Sequence, residues 1–426
     1  MRADDVPRIA RRRRVLYVSY DGALEPLGES QVVAYLEHLA AGADVTLLSF
    51  EKPADLAQTD RLAAMHARLR RAGVHWLPAR YHRRPPVLST ALDVLAGCRA
   101  ARRWARAGRG EGLAGIVHAR GYVPALMALD AQRAHGCRFL FDMRGFWVDE
   151  KVEAGHWARG GALHRAGKYW ERRFLASADA VVSLTHAGVR ELPLLGRVRG
   201  GVPVEVIPTC ADLERFSPAP APLPPAAAPQ DDGPLRDQLG LRGSTVVGYA
   251  GTLSNWYLRE ETLAYLAWLA RRLPRARVLM VTREDHVRLR EDAARLGMPA
   301  GALVLTRASF AQMPALLRLM HVGVFFIRAC FSKRASAATR LAEFLGCGVP
   351  VVINDGIGDS GELVRAGGVG LVLPDATRAS FDASAAGLER LLADAGAPAR
   401  CREVAMREFS LTSGVARYAA LYDRLP

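Results

Sequence analysis

The segment 328–356, RACFSKRASAATRLAEFLGCGVPVVINDG, concentrates residues that could bind a phosphorylated ligand. Ser336 and Thr339 are spaced to cap the start of a helix, and Lys333 and Arg340 flank that start. Because a helix N-terminus carries free N–H groups and a partial positive charge, cations beside it form a cradle for phosphate. An ordinary solvated helix start is the alternative interpretation.

Glu343 lies one helical turn beyond Thr339, on the same face of the predicted helix. A carboxylate at this position could accept hydrogen bonds from the hydroxyls of a ribose. A surface ion pair is the alternative role for Glu343. The residues alone leave both interpretations open.

Further polar side chains lie at the ends of two predicted strands nearer the N-terminus. His118, Arg120 and Tyr122 come at or just after the end of one strand, and Asp142 and Arg144 follow another. Since ligands of open α/β sheets bind beyond the carboxyl ends of the strands, these residues are candidates for orienting an acceptor hydroxyl. Ion pairs and loop caps are the alternatives, and for His118 a structural hydrogen bond.

The elements that must position these residues are short apolar runs alternating with helical stretches, which predicts doubly wound parallel sheets. The predicted strands before the middle of the chain are 15–19, 44–50, 73–77, 115–119, 138–142, 180–184 and 204–208. Those after it are 244–251, 276–282, 302–306, 321–327, 348–354 and 369–373.

The stretch 217–230, SPAPAPLPPAAAPQ, separates the two sets of strands. Its prolines suit neither a helix nor a strand, so we predict a linker. The fold class is therefore α/β, with two Rossmann-like domains facing across a cleft. The first domain is predicted over 1–212, the linker over 213–242 and the second domain over 243–405. A last helix in 406–426 is predicted to pack back across the domains.

One glycine-rich stretch, GIGDSG at 356–361, matches the dinucleotide-binding pattern, and Asp375 follows at a suitable distance. The first strand lacks that pattern, however, and the match lies late in the chain. We therefore expect an anion-binding loop here rather than a nicotinamide site.

The charge of the chain is unusually positive, with 58 Lys and Arg against 43 acids and a formal net charge of +15 in 426 residues. Such a charge suits a polyanion, an anionic membrane surface or a phosphorylated substrate. Arg99, Arg102, Arg103 and Arg106 form one stripe of a predicted helix with Trp104 nearby, which suits attachment to anionic lipid. A solvated basic face is the alternative.

Cysteines and apolar runs restrict the classes of protein. The six cysteines are scattered without a CxxC pair, which predicts free thiols rather than a disulfide framework or a zinc site. Apolar runs such as VGVFFI at 322–327 are too short to span a bilayer, and the N-terminus shows no secretory leader. We therefore expect a cytoplasmic protein.

Several segments, in the right order through both predicted domains, resemble the retaining GT-B glycosyltransferases of family four. LAEFLGCGVPVV resembles the donor-site signature of that family, VEVIPTCADLERF the end of its first domain, and VVGYAGTLSNWY the strand and loop that open its second domain. SYDGALEPLGESQV is similar to the glycine-bearing loop after the first strand of that family. FLFDMRGFWVDEKVEAGHW resembles a segment of a subgroup of these enzymes.

The resemblance implies a donor site for a nucleotide diphosphate sugar, closed by a hinge between the domains. The residues that it assigns to the donor are Gly28, Ser30, Gly251, Thr252, Arg283, Lys333, Ser336, Thr339, Arg340 and Glu343. Arg144, Asp142 and Lys333 are the catalytic candidates, and His118, Arg120 and Tyr122 are the acceptor candidates. No D-x-D pair is present in the chain, so a mechanism without a metal or other cofactor is consistent with the resemblance.

The sequence departs from the family at three positions. The first glutamate of the family's paired motif would fall on Ala335, its phosphate-binding arginine is Thr252, and its first-domain histidine corresponds approximately to Arg144. Arg283, after the 276–282 strand, is the candidate substitute for the missing cation.

The function implied by the resemblance is a retaining transfer of a sugar of the hexose type to an acceptor hydroxyl. Cell-surface polysaccharide or glycolipid synthesis, on a lipid-linked or polysaccharide acceptor at the inner face of a membrane, is the expected setting. A nucleotide-sugar epimerase of the same fold is one alternative. A basic nucleic-acid-binding protein is the other, although no motif that reads DNA or RNA is present.

Overall fold

The computed structural model describes residues 12–109, 115–218, 233–253 and 256–425. Residues 219–232, in the middle of the predicted linker 213–242, therefore lie outside the described residues. Two parallel sheets account for the strands in the described ranges.

The first sheet has seven strands in the order β3-β2-β1-β4-β5-β6-β7. Its strands are β1 Arg13–Ser19, β2 Ala43–Glu51, β3 Val74–Arg80, β4 Ile116–Arg120, β5 Arg138–Asp142, β6 Ala180–Ser183 and β7 Val204–Val206. The helices of this half are α1 Pro26–Gly28, α2 Ala34–Leu39, α3 Pro53–Leu56, α4 Thr59–Arg71, α5 Pro86–Arg109, α6 Tyr122–His135, α7 Trp147–Glu153, α8 Ala162–Ser177 and α9 His186–Leu195.

The second sheet has six strands in the order β10-β9-β8-β11-β12-β13. Its strands are β8 Thr245–Ala250, β9 Ala276–Val281, β10 Leu303–Thr306, β11 Val322–Phe325, β12 Val351–Asn354 and β13 Gly370–Leu373. The helices that follow β7 are α10 Gly233–Gln238, α11 Arg259–Arg272, α12 His286–Arg295, α13 Met313–Arg318, α14 Thr339–Gly346, α15 Ser360–Gly367, α16 Arg378–Ala393, α17 Ala397–Glu408 and α18 Leu411–Arg424.

Both sheets are covered on both faces, as their continuous apolar strands predict. Along β1, Val15 and Tyr17 pack into one hydrophobic cluster while Leu16 and Val18 pack into another on the opposite face. The second sheet has its own core, which includes Val247. The predicted α/β fold of two doubly wound sheets is confirmed.

The last helix crosses back to the first sheet. The chain returns where Ala211 pairs with the segment at Ser410, through a hydrogen bond from the Ala211 amide to the Phe409 carbonyl. Helix α18 then packs against α2, and its buried Tyr418 and Tyr422 join the first sheet's core. The exact domain limits stay predictions.

Strand order changes direction between β1 and β4 in one sheet and between β8 and β11 in the other. Such switch points create a crevice at the carboxyl ends of the strands, where α/β proteins bind ligands. The residues after β1, β4, β8 and β11 are therefore those that the fold positions for chemistry.

Candidate active site

A buried cluster of charges lies at the carboxyl ends of β4 and β5. Register pairs Arg120 with Asp142, so the two side chains start beside each other. The Oδ2 atom of Asp142 lies 3.5 Å from His118 Nε2, 4.0 Å from Arg120 Nη1 and 3.9 Å from Arg144 Nη1. Asp142 is fully enclosed, which makes it the centre of the cluster.

The charge states in this cluster follow from burial and mutual attraction. Burial opposes the ionised form of Asp142, but Arg144, His118 and Arg120 outweigh it and lower the pKa of the carboxyl. Burial also opposes the charge on Arg144, and attraction to Asp142 outweighs it and raises the pKa of the guanidinium. For His118 burial prevails and lowers the pKa, so the imidazole is neutral at pH 7.

Arg144 also has a strained backbone. Its φ is 58°, in the left-handed region that non-glycine residues rarely adopt, and Gly145 follows with φ 121°. Strain of this kind persists where the surrounding structure enforces it, commonly at functional sites. The turn after β5 directs the Arg144 side chain back to Asp142.

Two tyrosines of α18 complete the cluster, and the sequence interpretation missed them. Tyr418 donates a hydrogen bond to Asp142 (3.0 Å), and the Tyr422 hydroxyl lies 2.7 Å from His118 Nδ1. Their spacing of four residues on a helix was the available signal, but it could not show which sheet the helix contacts. His118 thus has the structural contacts that were its alternative interpretation.

Tyr122 does not join His118 and Arg120. Its buried hydroxyl donates to Glu171 on α8 (2.7 Å), and its ring stacks with Trp147. Tyr122 is the first residue of α6, and the side chain is directed into the core between α6 and α8. The structure therefore separates this acceptor candidate from the other two.

On the opposite side of the cleft, Arg340 of α14 lies on a shelf of aromatic rings. Its guanidinium carbon is 3.7 Å from the ring centre of Tyr257, 4.7 Å from that of Tyr249 and 5.7 Å from that of Phe325. Nη2 donates to the Thr252 carbonyl (3.4 Å), while Nη1 has no hydrogen-bond partner among the described residues. A buried guanidinium with an N–H donor that lacks a partner can bind an anion.

Glu343 lies one turn along α14 from Arg340. Burial raises the pKa of its carboxyl to about 7, although Arg340 opposes the shift. Glu343 and Thr339 line a cavity of about 80 Å³, with Ser30 and Gln31 on the other side. The Gln31 side-chain oxygen has no partner among the described residues, and sequence reasoning had not singled out Gln31.

The segment Gly28–Ser30 was expected to be a loop, and this is wrong. Gly28 ends α1, and Glu29–Val33 forms a π-helical turn that continues into α2. A Cβ on Gly28 would lie 1.8 Å from the Gly22 carbonyl oxygen, so glycine is required there. The segment packs closely on Gly22, and its Ser30 lines the cavity.

The expected capping of α14 by Ser336 and Thr339 is also wrong. The N-cap position is occupied by Ala338, whose side chain cannot accept a hydrogen bond, and Thr339 is already the first helical residue. A 3₁₀ turn at Phe331–Ala335 precedes an extended Ser336, which delays the helix. Among the described residues, therefore, no side chain accepts a hydrogen bond from the first amides of α14.

The structure brings Arg340, rather than Arg283, to Gly251 and Thr252. A Cβ on Gly251 would lie 2.3 Å from Arg340 Nη2, so the guanidinium closely covers the turn after β8. Arg283 is exposed and makes no ion pair within the described ranges. The nearby Arg259 is already paired with Glu284 and Asp292.

Lys333 is held between the two halves of the molecule. Its Nζ lies 2.8 Å from Glu150 of α7 and 3.8 Å above the ring of Trp256. Only 7% of the side chain is exposed. The predicted diphosphate ligand is thus engaged by a carboxylate of the opposite half.

Further contacts close the same face of the molecule. Asp359 accepts hydrogen bonds from the amides of His186 and Ala187 at the start of α9 (2.6 and 2.8 Å), and Phe146 stacks on Phe331. The Gly358 amide donates to the Lys333 carbonyl. The glycine-rich stretch 356–361 therefore contributes to the contact between the two halves.

A larger cavity of about 460 Å³ lies near the return of the chain at Pro208 and Phe409. Its lining mixes His186, Arg190 and Arg417 with acidic side chains and includes none of the predicted site residues. In the described ranges, no three or more His, Cys, Asp or Glu side chains group as they would around a metal ion.

Comparison with known proteins gives a family likeness for the first half of the chain and the fold of the whole. Residues 29–210 match the model of the glycosyl transferase 4-like domain. A search of curated proteins found no match. The chain is similar to a solved glycosyltransferase from Rickettsia africae (TM-score 0.69, 15% identity, 97% of this chain and 99% of the other).

Two further solved structures show the same likeness. One is Anabaena HepE in complex with UDP and glucose (TM-score 0.68, 14% identity, 96% and 99% of the chains). The other is sucrose-phosphate synthase from Thermosynechococcus elongatus (TM-score 0.66, 15% identity, 97% and 99%). The chain therefore has the GT-B glycosyltransferase fold, and its first half resembles a glycosyl transferase 4-like domain, as the sequence motifs predicted.

Proposed function

We propose that this protein transfers a hexose-type sugar from a nucleoside diphosphate sugar to an acceptor hydroxyl. In this proposal the anomeric configuration is retained and no metal ion is needed. The observation that carries it is the cavity at which Glu343 of α14 lies across from Ser30 and Gln31, with the unpartnered Nη1 of Arg340 one helical turn before Glu343. Similar structures solved in complex with UDP support a nucleotide donor.

Arg340 is the proposed diphosphate ligand. Its open Nη1 donor and the uncapped start of α14 offer adjacent N–H groups to an anion. The aromatic shelf holds the guanidinium in place without neutralising it, since no carboxylate pairs with Arg340 among the described ion pairs. Both features support stabilisation of the negative charge that develops on the departing diphosphate.

Glu343 is the proposed ligand of the ribose hydroxyls. Its carboxyl lies at the cavity wall, one helical turn from Arg340. One turn of helix rises about 5 Å, which is similar to the distance between a ribose and its phosphates. Hydroxyl donors favour the ionised carboxylate, which burial disfavours in the free protein. Nucleotide binding would therefore release a proton near neutral pH.

Opening of the molecule is a necessary part of the proposal. A cavity of about 80 Å³ is much smaller than the roughly 300–1,000 Å³ that small-molecule sites usually occupy. We propose that the two halves separate at the Lys333–Glu150 and Asp359–α9 contacts to admit the donor. Lys333 would then exchange Glu150 for the diphosphate, and reclosure would exclude water.

The proposed chemical step uses no side-chain base, because the buried cluster offers none that is available. The acceptor oxygen forms a bond to the anomeric carbon while the bond from that carbon to the diphosphate breaks, and a diphosphate oxygen takes the acceptor proton. Asp142 is enclosed by His118, Arg120, Arg144 and Tyr418. We propose that it positions Arg120 and Arg144 at the cleft for the acceptor and the leaving group.

The biological setting remains part of the proposal: a lipid-linked or polysaccharide acceptor in cell-surface polysaccharide or glycolipid synthesis. The resemblance in sequence and the net charge of +15 support it.

A thermal-shift panel of UDP, GDP and ADP tests the proposal on three proteins: wild type, Glu343→Gln and Glu389→Gln. Glu389 is an exposed matched control that pairs with Arg272. We expect one nucleotide to raise the Tm of wild type and of Glu389→Gln equally, and of Glu343→Gln by less than half as much. A shift with DNA or RNA and none with any nucleotide would overturn the proposal. Formation of an epimerised nucleotide sugar in reactions without an acceptor would also overturn the proposal.

A further inference from the structure

Helix α5 exposes an apolar face. Val87, Leu88, Leu92 and Leu95 are 62%, 59%, 51% and 52% exposed, the densest group of large exposed apolar side chains on a described helix. Ala91 and Ala96 are exposed on the same side. Every outward position from 87 to 96 is therefore aliphatic, over about 15 Å of helix.

The inward face of α5 is small and polar instead. Ser89, Asp93, Gly97, Ala101 and Ala105 are buried, and a Cβ on Gly97 would lie 2.2 Å from the sulfur of Met127 on α6. This close packing leaves no room for leucines on the inner side. A surface helix usually shows the reverse arrangement, with its apolar side chains toward the core.

Asp93 anchors this arrangement from within. It accepts a hydrogen bond from Tyr20 (2.8 Å) and lies 2.6 Å from His82 Nδ1. The helix is thus fixed in the rotation that turns the leucines outward. The exposed apolar face is a consequence of specific buried contacts.

Arginines flank the apolar face at both ends. Arg83 and Arg84 precede it, and Arg99, Arg103 and Arg106 continue its outward side. The side chains of these five form no ion pair or hydrogen bond within the described ranges. Arg102 is the exception, because its Nε and Nη2 both donate to Asp130 on α6. No acidic residue lies on the outward face of α5 between 86 and 108.

We propose that α5 docks on an anionic lipid bilayer, with its leucines among the acyl chains and its arginines at the phosphates. An aliphatic stripe bordered by unpaired cations is the pattern of an interfacial helix. The stripe is about half the length needed to span a bilayer, and no described helix reaches that length with sufficient apolarity, so α5 lies along the surface. Free arginines at both ends and the lack of acids favour lipid phosphates over a protein partner.

This inference stands apart from the proposed reaction, because it depends on α5 alone. In the closed structure α5 packs against α6, and none of its residues lines the cavity at Glu343. It assigns a surface by which the protein would reach a lipid-linked acceptor.

Vesicle co-sedimentation tests the inference with vesicles of equal parts phosphatidylcholine and phosphatidylglycerol, and with phosphatidylcholine alone. We expect wild type to bind the mixed vesicles. The triple variant Leu88→Ser, Leu92→Ser, Leu95→Ser should bind about tenfold more weakly, as should Arg99→Ser, Arg103→Ser, Arg106→Ser. Because all six positions are exposed, both variants should keep the wild-type Tm.

Matched controls use residues exposed elsewhere. Leu194→Ser, Val287→Ser, Met406→Ser removes three exposed apolar side chains, and Arg70→Ser, Arg71→Ser removes exposed cations of α4. Both controls should bind vesicles like wild type. Equal binding by wild type and the leucine variant, or no binding by wild type, would overturn the inference. A wild-type dimer that the leucine variant converts to monomer would overturn it in favour of a second copy.

Discussion

The two sides of the cleft handle buried charge in different ways. Around Asp142, the cations of Arg120 and Arg144 are offset by a carboxylate, and Tyr418 of the last helix secures it. Around Arg340, aromatic rings replace the carboxylate, and a donor nitrogen stays open. The charges of the first side are balanced within the protein, although His118 Nε2, Arg120 Nε and Asp142 Oδ1 have no hydrogen-bond partner among the described residues. On the second side, no carboxylate pairs with Arg340 among the described ion pairs.

This difference indicates a division of labour. A charge-balanced cluster holds its geometry in the free protein, which suits the positioning of groups in a reaction. A guanidinium without a paired carboxylate gains most when an anion arrives, which suits binding of a substrate. The variants below test each half of the comparison.

The largest effect is expected from Asp142→Asn. Removing the carboxylate leaves the buried guanidinium of Arg144 without a counter-charge among the described ion pairs, and that of Arg120 with only the exposed Asp21, so the free energy of unfolding should fall by about 3 kcal/mol. Because the folded-state pKa of Asp142 lies below 3.8, this stabilisation is present above about pH 4 and is lost as the pH falls through the lowered pKa. Urea denaturation at several pH values measures both effects.

Asp60→Asn is the control for this variant, since Asp60 is exposed on α4. It should unfold like wild type at every pH. Equal stability of Asp142→Asn and wild type would show that the cluster does not depend on its central charge.

The second effect concerns the open side of the cleft. Arg340→Met keeps an apolar stem against Tyr257 and removes the guanidinium, so affinity for the nucleoside diphosphate that stabilises wild type should fall about 100-fold, or about 2.7 kcal/mol. Isothermal titration calorimetry measures it.

Arg283→Met sharpens this test because the sequence interpretation assigned the missing cation to Arg283. The side chain is exposed and unpaired among the described residues, so its loss should change affinity by less than about twofold. A large loss for Arg283→Met and a small one for Arg340→Met would reverse the assignment.

The smallest effect is a pH dependence from Glu343. With a pKa of about 7 in the free protein and hydroxyl donors favouring the ionised form, nucleotide affinity should rise about tenfold from pH 6 to pH 8. Glu343→Gln should bind weakly and show a nearly flat profile. An unchanged slope in this variant would place the titrating group elsewhere.

Much of the fold could be predicted from sequence because apolar runs reveal buried strands. The runs at 138–142 and 276–282 correspond to β5 and β9 almost residue for residue. The polar residues after them could therefore be placed at one edge of a sheet, and Asp142 and Arg144 do meet there. Element limits near irregular turns were less predictable, as the start of α14 after its 3₁₀ turn demonstrates.

Residue pairings across the chain could not be predicted in the same way. Tyr418 contacts Asp142, 276 positions away in the sequence, and Lys333 contacts Glu150 between the two halves. Nothing in the local sequence of Lys333 distinguishes a phosphate ligand from half of an ion pair. Its contact is decided by how the two sheets face each other.

The sequence by itself determined the alternation of strands and helices, the excess of cations and the motifs of a glycosyltransferase, because these depend on residue type and short-range spacing. Only the tertiary structure decided which cations are already neutralised and which remain open. It also decided that the leucines of α5 point outward, since the close approach of Gly97 to Met127 fixes the rotation of that helix. Both outcomes depend on contacts between distant segments, whose free energy no local pattern encodes.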